Sequence, residues 1–146
     1  MVRAATAEDI PAIVAMLADD PLGATRETDA SSPGYSMAFE EISLDPNQKL
    51  VVGEIGGEVV ATMQLTIIPG LSRGGSKRAL IEAVRVRGDQ RGLGLGRQLI
   101  MWAIAEARAC GCMVIQLTSD RSRTDAHRFY ASLGFETSHV GMKLML

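Results

Sequence analysis

Between Ala79 and Cys110 the chain passes from an apolar, β-like stretch, Ala79-Leu-Ile-Glu-Ala-Val-Arg-Val86, through Arg87-Gly-Asp-Gln and Arg91-Gly-Leu-Gly-Leu-Gly96, into a helical pattern. Glycines at 92, 94 and 96 let the backbone curl so that its N–H groups converge at the positive end of the helix dipole. Such a junction is an anion cradle, and a phosphate is its usual occupant. Two common nucleotide loops are excluded by their neighbours. A Walker loop needs Gly-Lys followed by Ser or Thr, and here Gly96 is followed by Arg97-Gln98. A dinucleotide fingerprint needs a third glycine where Arg97 stands, and it belongs in a βαβ unit, whereas hairpins come first in this chain.

The rest of the sequence predicts what surrounds that loop. Val2 to Ala4 reads as a short strand. Thr6-Ala-Glu-Asp9 ahead of Ile10, Ile13, Val14 and Leu17 supplies a cap, first-turn acids and a 3.6-residue period, predicting a helix over about 7–18. A loop from Pro21 to Pro33 leads to a second helix, about Tyr35 to Ser43, stopped by Asp45-Pro46. Lys49 to Ile55 and Glu58 to Ile68 are rich in Val, Ile, Leu and Thr, and Gly56-Gly57 between them predicts an antiparallel hairpin. Arg78 to Val86 is the next strand of that sheet. A helix follows from Leu95 to Cys110, ended at Gly111, then a buried strand from Cys112 to Thr118, a short helix over Ala126 to Ser132, and closing strand material from Phe135 to Leu146. The expected fold is a mixed α/β domain with a mostly antiparallel sheet.

Composition excludes classes without proposing one. With 146 residues, 47% hydrophobic and 22% charged, the chain is sized for a single globular domain over 1–146. No apolar run is long enough to span a bilayer and no signal-like segment opens the chain, so the expectation is a cytoplasmic protein without membrane partners. A net charge of −2 gives no signal for nucleic acid. Its distribution is uneven, however: Met1–Val60 carries eleven acids against three bases, and Ala61–Arg97 seven bases against two acids. The basic segment holds the glycine loop. Cys110 and Cys112 read as reduced packing residues, and His127 and His139 lack partners at ligand spacing, so no metal is expected. Trp102 and the methionines read as core.

Arg91-x-x-Gly94-x-Gly96 after a strand ending in Val86 resembles the acyl-coenzyme A signature of the GNAT family of N-acetyltransferases. Asp125-Ala-His-Arg-Phe-Tyr-Ala-Ser-Leu-Gly-Phe135 is similar to the family's second motif, and Arg3-Ala-Ala-Thr-Ala-Glu-Asp-Ile-Pro11 to its usual opening. The resemblance implies a GNAT-like fold, with a central sheet flanked by about four helices and splayed between the fourth and fifth strands. It also implies acetyl-CoA as co-substrate. Backbone amides of Arg91, Gly92, Leu93, Gly94, Leu95 and Gly96 would receive the pyrophosphate, with Arg97 adding charge, and the pantetheine arm would lie along Val84 to Val86.

For acetyl transfer to an amine, the resemblance assigns Glu82 as the base that accepts the ammonium proton and Tyr130 as the donor to the departing thiolate. By period-two alternation Glu82 is expected to share a face with Val84 and Val86. Where many members have asparagine, seven residues before the tyrosine, this chain has Arg123, which could reach a phosphate instead. Tyr35, Met37 and Phe39 fall in the helix that helps form the acceptor groove in the family. The implied acceptor is a primary amine of a small molecule or peptide, and the acidic front end, including Glu27, Asp29, Glu40 and Glu41, suggests a cationic one. A catalytically idle acyl-CoA-binding regulatory module is the alternative. Related members are often homodimers.

Overall fold

A computed structural model describes all residues, 1–146, of the chain. Five strands form one sheet in the order β1-β2-β3-β4-β5: β1 Val2–Ala4, β2 Gln48–Ile55, β3 Glu58–Ile68, β4 Lys77–Val86 and β5 Cys112–Leu117. Neighbours are antiparallel except β4 and β5, which are parallel because the helix between them carries the chain back across the sheet. Four helices surround it: α1 Ile10–Ala18, preceded by a 3-10 turn at Ala7–Asp9, α2 Pro33–Leu44, α3 Leu95–Ala109 and α4 Thr124–Ser132. A single helical turn at Ser72–Gly75, with Arg73 and Gly74 in left-handed backbone, joins β3 to β4. No helix is long and apolar enough to cross a membrane.

Alternation along the strands divides the interior between the two faces of the sheet. Val51, Ala61, Met63, Leu65, Ile67, Ala79 and Ile81 face α3, which answers with Leu99, Ile100, Ala103 and Ala107 at helical spacing. On the other face α1 packs over β3 and β4 and buries Ile13, Val14 and Met16. Gly56 and Gly57 both take positive φ in the β2–β3 turn, as the hairpin requires.

One expected element is absent. Residues 133–146 form no strand, although the alternation from His139 to Leu146 suggests one. Side-chain period shows which way residues would face, but a strand exists only if its backbone finds a ladder partner. The tail instead passes the end of β5, where a Cβ on Gly141 would stand 3.5 Å from the Thr118 methyl, and Val140, Met142, Leu144, Met145 and Leu146 remain exposed.

The start of α1 is anchored by a buried carboxylate. Arg3 on β1 grips Asp9 with both arms of its guanidinium, Nη1 to Oδ2 at 2.7 Å and Nη2 to Oδ1 at 3.0 Å, while the Thr6 N–H donates to Oδ2 at 2.7 Å. The Arg3 hydrogen bonds are the largest cause holding the Asp9 carboxyl down to about 2. A depressed carboxyl stabilises the fold fully above its unfolded value and loses that contribution as pH falls through the folded one. Asp9→Asn is therefore expected to cost about 2 kcal/mol at pH 7 and to flatten the pH dependence of urea-unfolding midpoints between about pH 4 and 2. An unchanged slope in that window would contradict this role.

Candidate active site

β4 changes character halfway along. Its parallel ladder with β5 runs from Lys77 opposite Cys112 to Ile81 opposite Leu117 and then stops, so the strands diverge beyond Glu82. On the β3 side, Gln64 opposes Glu82 and Thr62 opposes Arg85, leaving Ala83 and Val84 together against Met63. This is a β-bulge, and its first residue, Ala83, has φ 53°.

The extra residue alters which side chains face which way. Directly paired residues in an antiparallel ladder share a face, so Glu82 and Arg85 lie with Gln64 and Thr62 on the α1 side. Val84 and Val86 pack with the cluster under α3. The expectation that Glu82 shares a face with both valines is thus overturned by the bulge. Glu82 is exposed and has no hydrogen-bond partner on the protein, so its carboxylate opens to the cleft side of the sheet.

At the end of β4 the glycine loop forms the expected cradle. Gly92 has φ 79° and Gly94, the residue capping α3, has φ 83°. The first helical bond is donated by Gln98 to the Gly94 carbonyl, and none of the six N–H groups from Gly92 to Arg97 donates to a protein acceptor. Six free amides at a helix start favour an anion there. Leu93 is exposed, Leu95 opens the helix, and Arg97 projects from its first turn without a protein partner. Gly96 packs against α4, since a Cβ there would lie 3.5 Å from Phe129. Arg91 is differently employed: its Nε donates to the Val86 carbonyl at 3.0 Å and its Nη2 pairs with Asp19 at 2.7 Å, fastening the loop to the end of α1.

α4 sits across the opening between β4 and β5. Phe129, Tyr130, Leu133 and Phe135 pack toward the cluster under α3. Tyr130 is edge-on to Phe129 and Phe135, with ring centroids 5.1 and 5.8 Å away. Its hydroxyl makes no hydrogen bond within the protein. Burial raises the phenol above its usual value, with Arg85 and Arg123 opposing the shift, so Tyr130 is a protonated donor throughout the neutral range.

Arg123, at the N-cap of α4, reaches across the opening and donates through Nη2 to Asp20 Oδ2 at 2.8 Å. Arg85 Nε lies 3.3 Å from the same oxygen but is misaligned, and it is a buried donor without a hydrogen-bond partner. Burial works to raise the Asp20 carboxyl, but the Gly23 amide and the two guanidiniums outweigh it and hold it below its ordinary value. Asp19, Asp20, Ala83 and Arg85 escaped the sequence reading. Arg85 carried the only usable signal, a second charge three residues after Glu82 in an apolar strand; an alanine gives no hint of left-handed backbone.

The fold and this arrangement have relatives. The Acetyltransferase (GNAT) family model matches residues 12–135. An aminoalkylphosphonate N-acetyltransferase from Salmonella typhimurium is 31% identical over 137 residues, 94% of this chain and 85% of that protein. A glucosamine 6-phosphate N-acetyltransferase from Trypanosoma brucei brucei is 37% identical over 90 residues, 62% of this chain and 59% of that one. Among solved structures, one described as a transcriptional regulator from Bacillus halodurans superimposes with a TM-score of 0.95 at 46% identity, covering 100% of this chain and 99% of that chain.

The bulge itself can be tested. Ala83 is exposed, so a change of side chain there would ordinarily move stability by no more than about 0.5 kcal/mol. Because the left-handed backbone disfavours a β-branched residue, Ala83→Val is expected to cost about 1–2 kcal/mol in denaturant unfolding, and Ala83→Gly to cost little or nothing. Equal stability of the valine variant and the parent would remove the bulge from this account. Family model, relatives, splayed sheet and amide cradle agree, and the chain belongs to the GNAT family of acetyltransferases.

Proposed function

We propose that residues 1–146 act as one N-acetyltransferase domain that moves the acetyl group of acetyl-CoA directly to a primary amine of a small molecule. The observation that carries this reading is the pairing of a free six-amide cradle with a splayed strand that bears Glu82 on one side and faces Tyr130. The family uses acetyl-CoA as co-substrate, which supplies a thioester carbonyl for attack. The amides of Gly92 to Arg97 and the Arg97 guanidinium receive its diphosphate, and Val84 and Val86, unpaired on the β5 side, line the arm.

An amine attacks only when uncharged, so its extra proton must leave. Glu82 accepts that proton, directly or through water, and holds it as carboxylic acid until solvent takes it. As the carbon–nitrogen bond forms and the carbon–sulfur bond breaks, Tyr130 donates its phenolic proton to the departing thiolate, and the second proton shed by the nitrogen on becoming an amide passes through solvent to restore the phenol. Small acceptors are favoured over proteins because both curated relatives are named for small amines, an aminoalkylphosphonate and glucosamine 6-phosphate. The description of the Bacillus halodurans protein as a transcriptional regulator favours a second reading, an acyl-CoA-binding regulatory module without turnover. Glu82 and Tyr130 would then have no chemical task.

A screen of small amines for acetyl-CoA-dependent thiol release separates the two. Glu82→Gln is expected to lower kcat/KM about 100-fold. Tyr130→Phe should lower kcat with the acetyl-CoA KM nearly unchanged. If both variants match the parent on a good substrate, the assigned roles are wrong; tight coenzyme binding with no turnover of any amine would favour the regulatory module. Gly94→Ala tests the cradle separately: its strained φ is expected to raise the acetyl-CoA KM about tenfold, whereas Gly96→Ala, which meets only ordinary contacts, should raise it far less.

A further inference from the structure

On the α1 side of β4, around Asp20, lies a second concentration of positive charge. Arg85 and Arg123 share a single carboxylate oxygen of Asp20, whose other oxygen is taken by the Gly23 N–H at 2.6 Å. Arg85 Nη1 is spent on its own neighbour, the Val84 carbonyl, at 2.9 Å, its Nε is buried without a hydrogen-bond partner, and its Nη2 has none either. Arg26, on the loop after α1, is close enough to act on Arg85 and on Asp120, and makes no ion pair or hydrogen bond through its side chain. Asp120 is already bonded to the Ser122 N–H and hydroxyl. Three guanidiniums therefore share two carboxylates, Asp20 and Asp120, so one positive charge and several donors are left over.

A half-buried arginine with an unbonded Nε is costly unless an anion completes it. The two acids that follow Arg26 in its loop make no ion pair with these arginines: Glu27 accepts the Tyr35 phenol at 2.7 Å, and Asp29 is bonded to Ser31.

Glu82 and Arg85 stand on the same face, opposite Gln64 and Thr62. Two residues of β3 separate them by about 7 Å along the strand. A carboxylate at one end and unsatisfied guanidiniums at the other suit a small zwitterion. We infer that the acceptor is a primary amine carrying an oxyanion a few atoms away, its amine at Glu82 and its anionic group held by Arg85, Arg26 and Arg123. The amine end of this inference rests on the acetyl-transfer reading; the anion end rests on the arginines alone.

The test compares amines of equal chain length in thiol release: an aminoalkylphosphonate, an ω-amino acid, an unsubstituted alkylamine and a diamine. The phosphonate or the carboxylate is expected to exceed the alkylamine at least tenfold in kcat/KM, with the advantage shrinking as salt rises. Whichever of the two leads identifies the anion. Arg85→Met should abolish the advantage, and Arg26→Gln, at an exposed residue whose loss leaves packing intact, should reduce it about threefold; the KM for acetyl-CoA should stay within twofold in both. Arg108→Gln, at the far end of α3, controls for net charge. Equal use of the alkylamine, a preference for the diamine, or variants that leave the ratio unchanged would overturn the inference. If no amine is acetylated, the reading of the preceding subsection fails instead, and isothermal titration of the phosphonate into parent and Arg85→Met still decides this one: binding lost in the variant supports it, binding absent from or equal in both refutes it.

Discussion

Two adjacent carboxylates at the end of α1 hold the functional half of the molecule together. Asp19 takes Arg91 from the glycine loop, and Asp20 takes Arg123 from the start of α4 and stands against Arg85 on β4. Three elements, all distant in sequence from α1, meet at two neighbouring residues at its end. The Asp19 pair is half exposed and contributes little energy by itself. Its importance is geometric, because it sets where the cradle stands relative to the sheet. Asp20 is more enclosed, and there the balance of charge matters more, since one carboxylate must serve two guanidiniums in a cleft with less water to screen them.

These contacts also explain the uneven charge of the chain. The acidic first segment and the basic middle meet in three pairs: Asp19 with Arg91, Asp20 with Arg85, and Glu58 with Arg87. A count along the sequence shows the imbalance but cannot show that the two halves consume each other. Among the charges these pairs leave over, the ones at the site are Arg97 at the cradle, Arg26 and part of Arg85 around Asp20, and Glu82 on the same face of β4 as Arg85.

Much of the fold was legible because local rules and tertiary structure agree. Gly56-Gly57 predicts a hairpin and forms one; the apolar period of Leu99, Ile100, Ala103 and Ala107 predicts a buried helical face and supplies one. The glycine loop was legible for the same reason, as positive φ at Gly92 and Gly94 needs glycine and glycine is visible in a sequence. Legibility failed where the deciding fact was a pairing. The tail has the alternation of a strand and no ladder, and Ala83 adopts left-handed backbone although nothing in an alanine signals it. The facing of Glu82, Val84, Arg85 and Val86 followed from that one hidden residue.

The two-against-one arrangement at Ala83 and Val84 gives β4 a particular vulnerability. Upstream of it, the strand is locked to both neighbours; downstream, Arg85 and Val86 lead straight into the glycine loop. Removing one residue at the bulge would leave composition, hydropathy and every motif intact. Yet with Ala83 gone the ladder would close into regular alternation, Glu82 opposite Gln64, Val84 opposite Met63 and Arg85 opposite Thr62, so that every side chain would keep its face while the bulge and its bend were lost. In this family member the extra residue therefore serves the path of the backbone and not the facing of the side chains: its loss would pass unnoticed in the motifs while straightening the strand just ahead of the glycine loop.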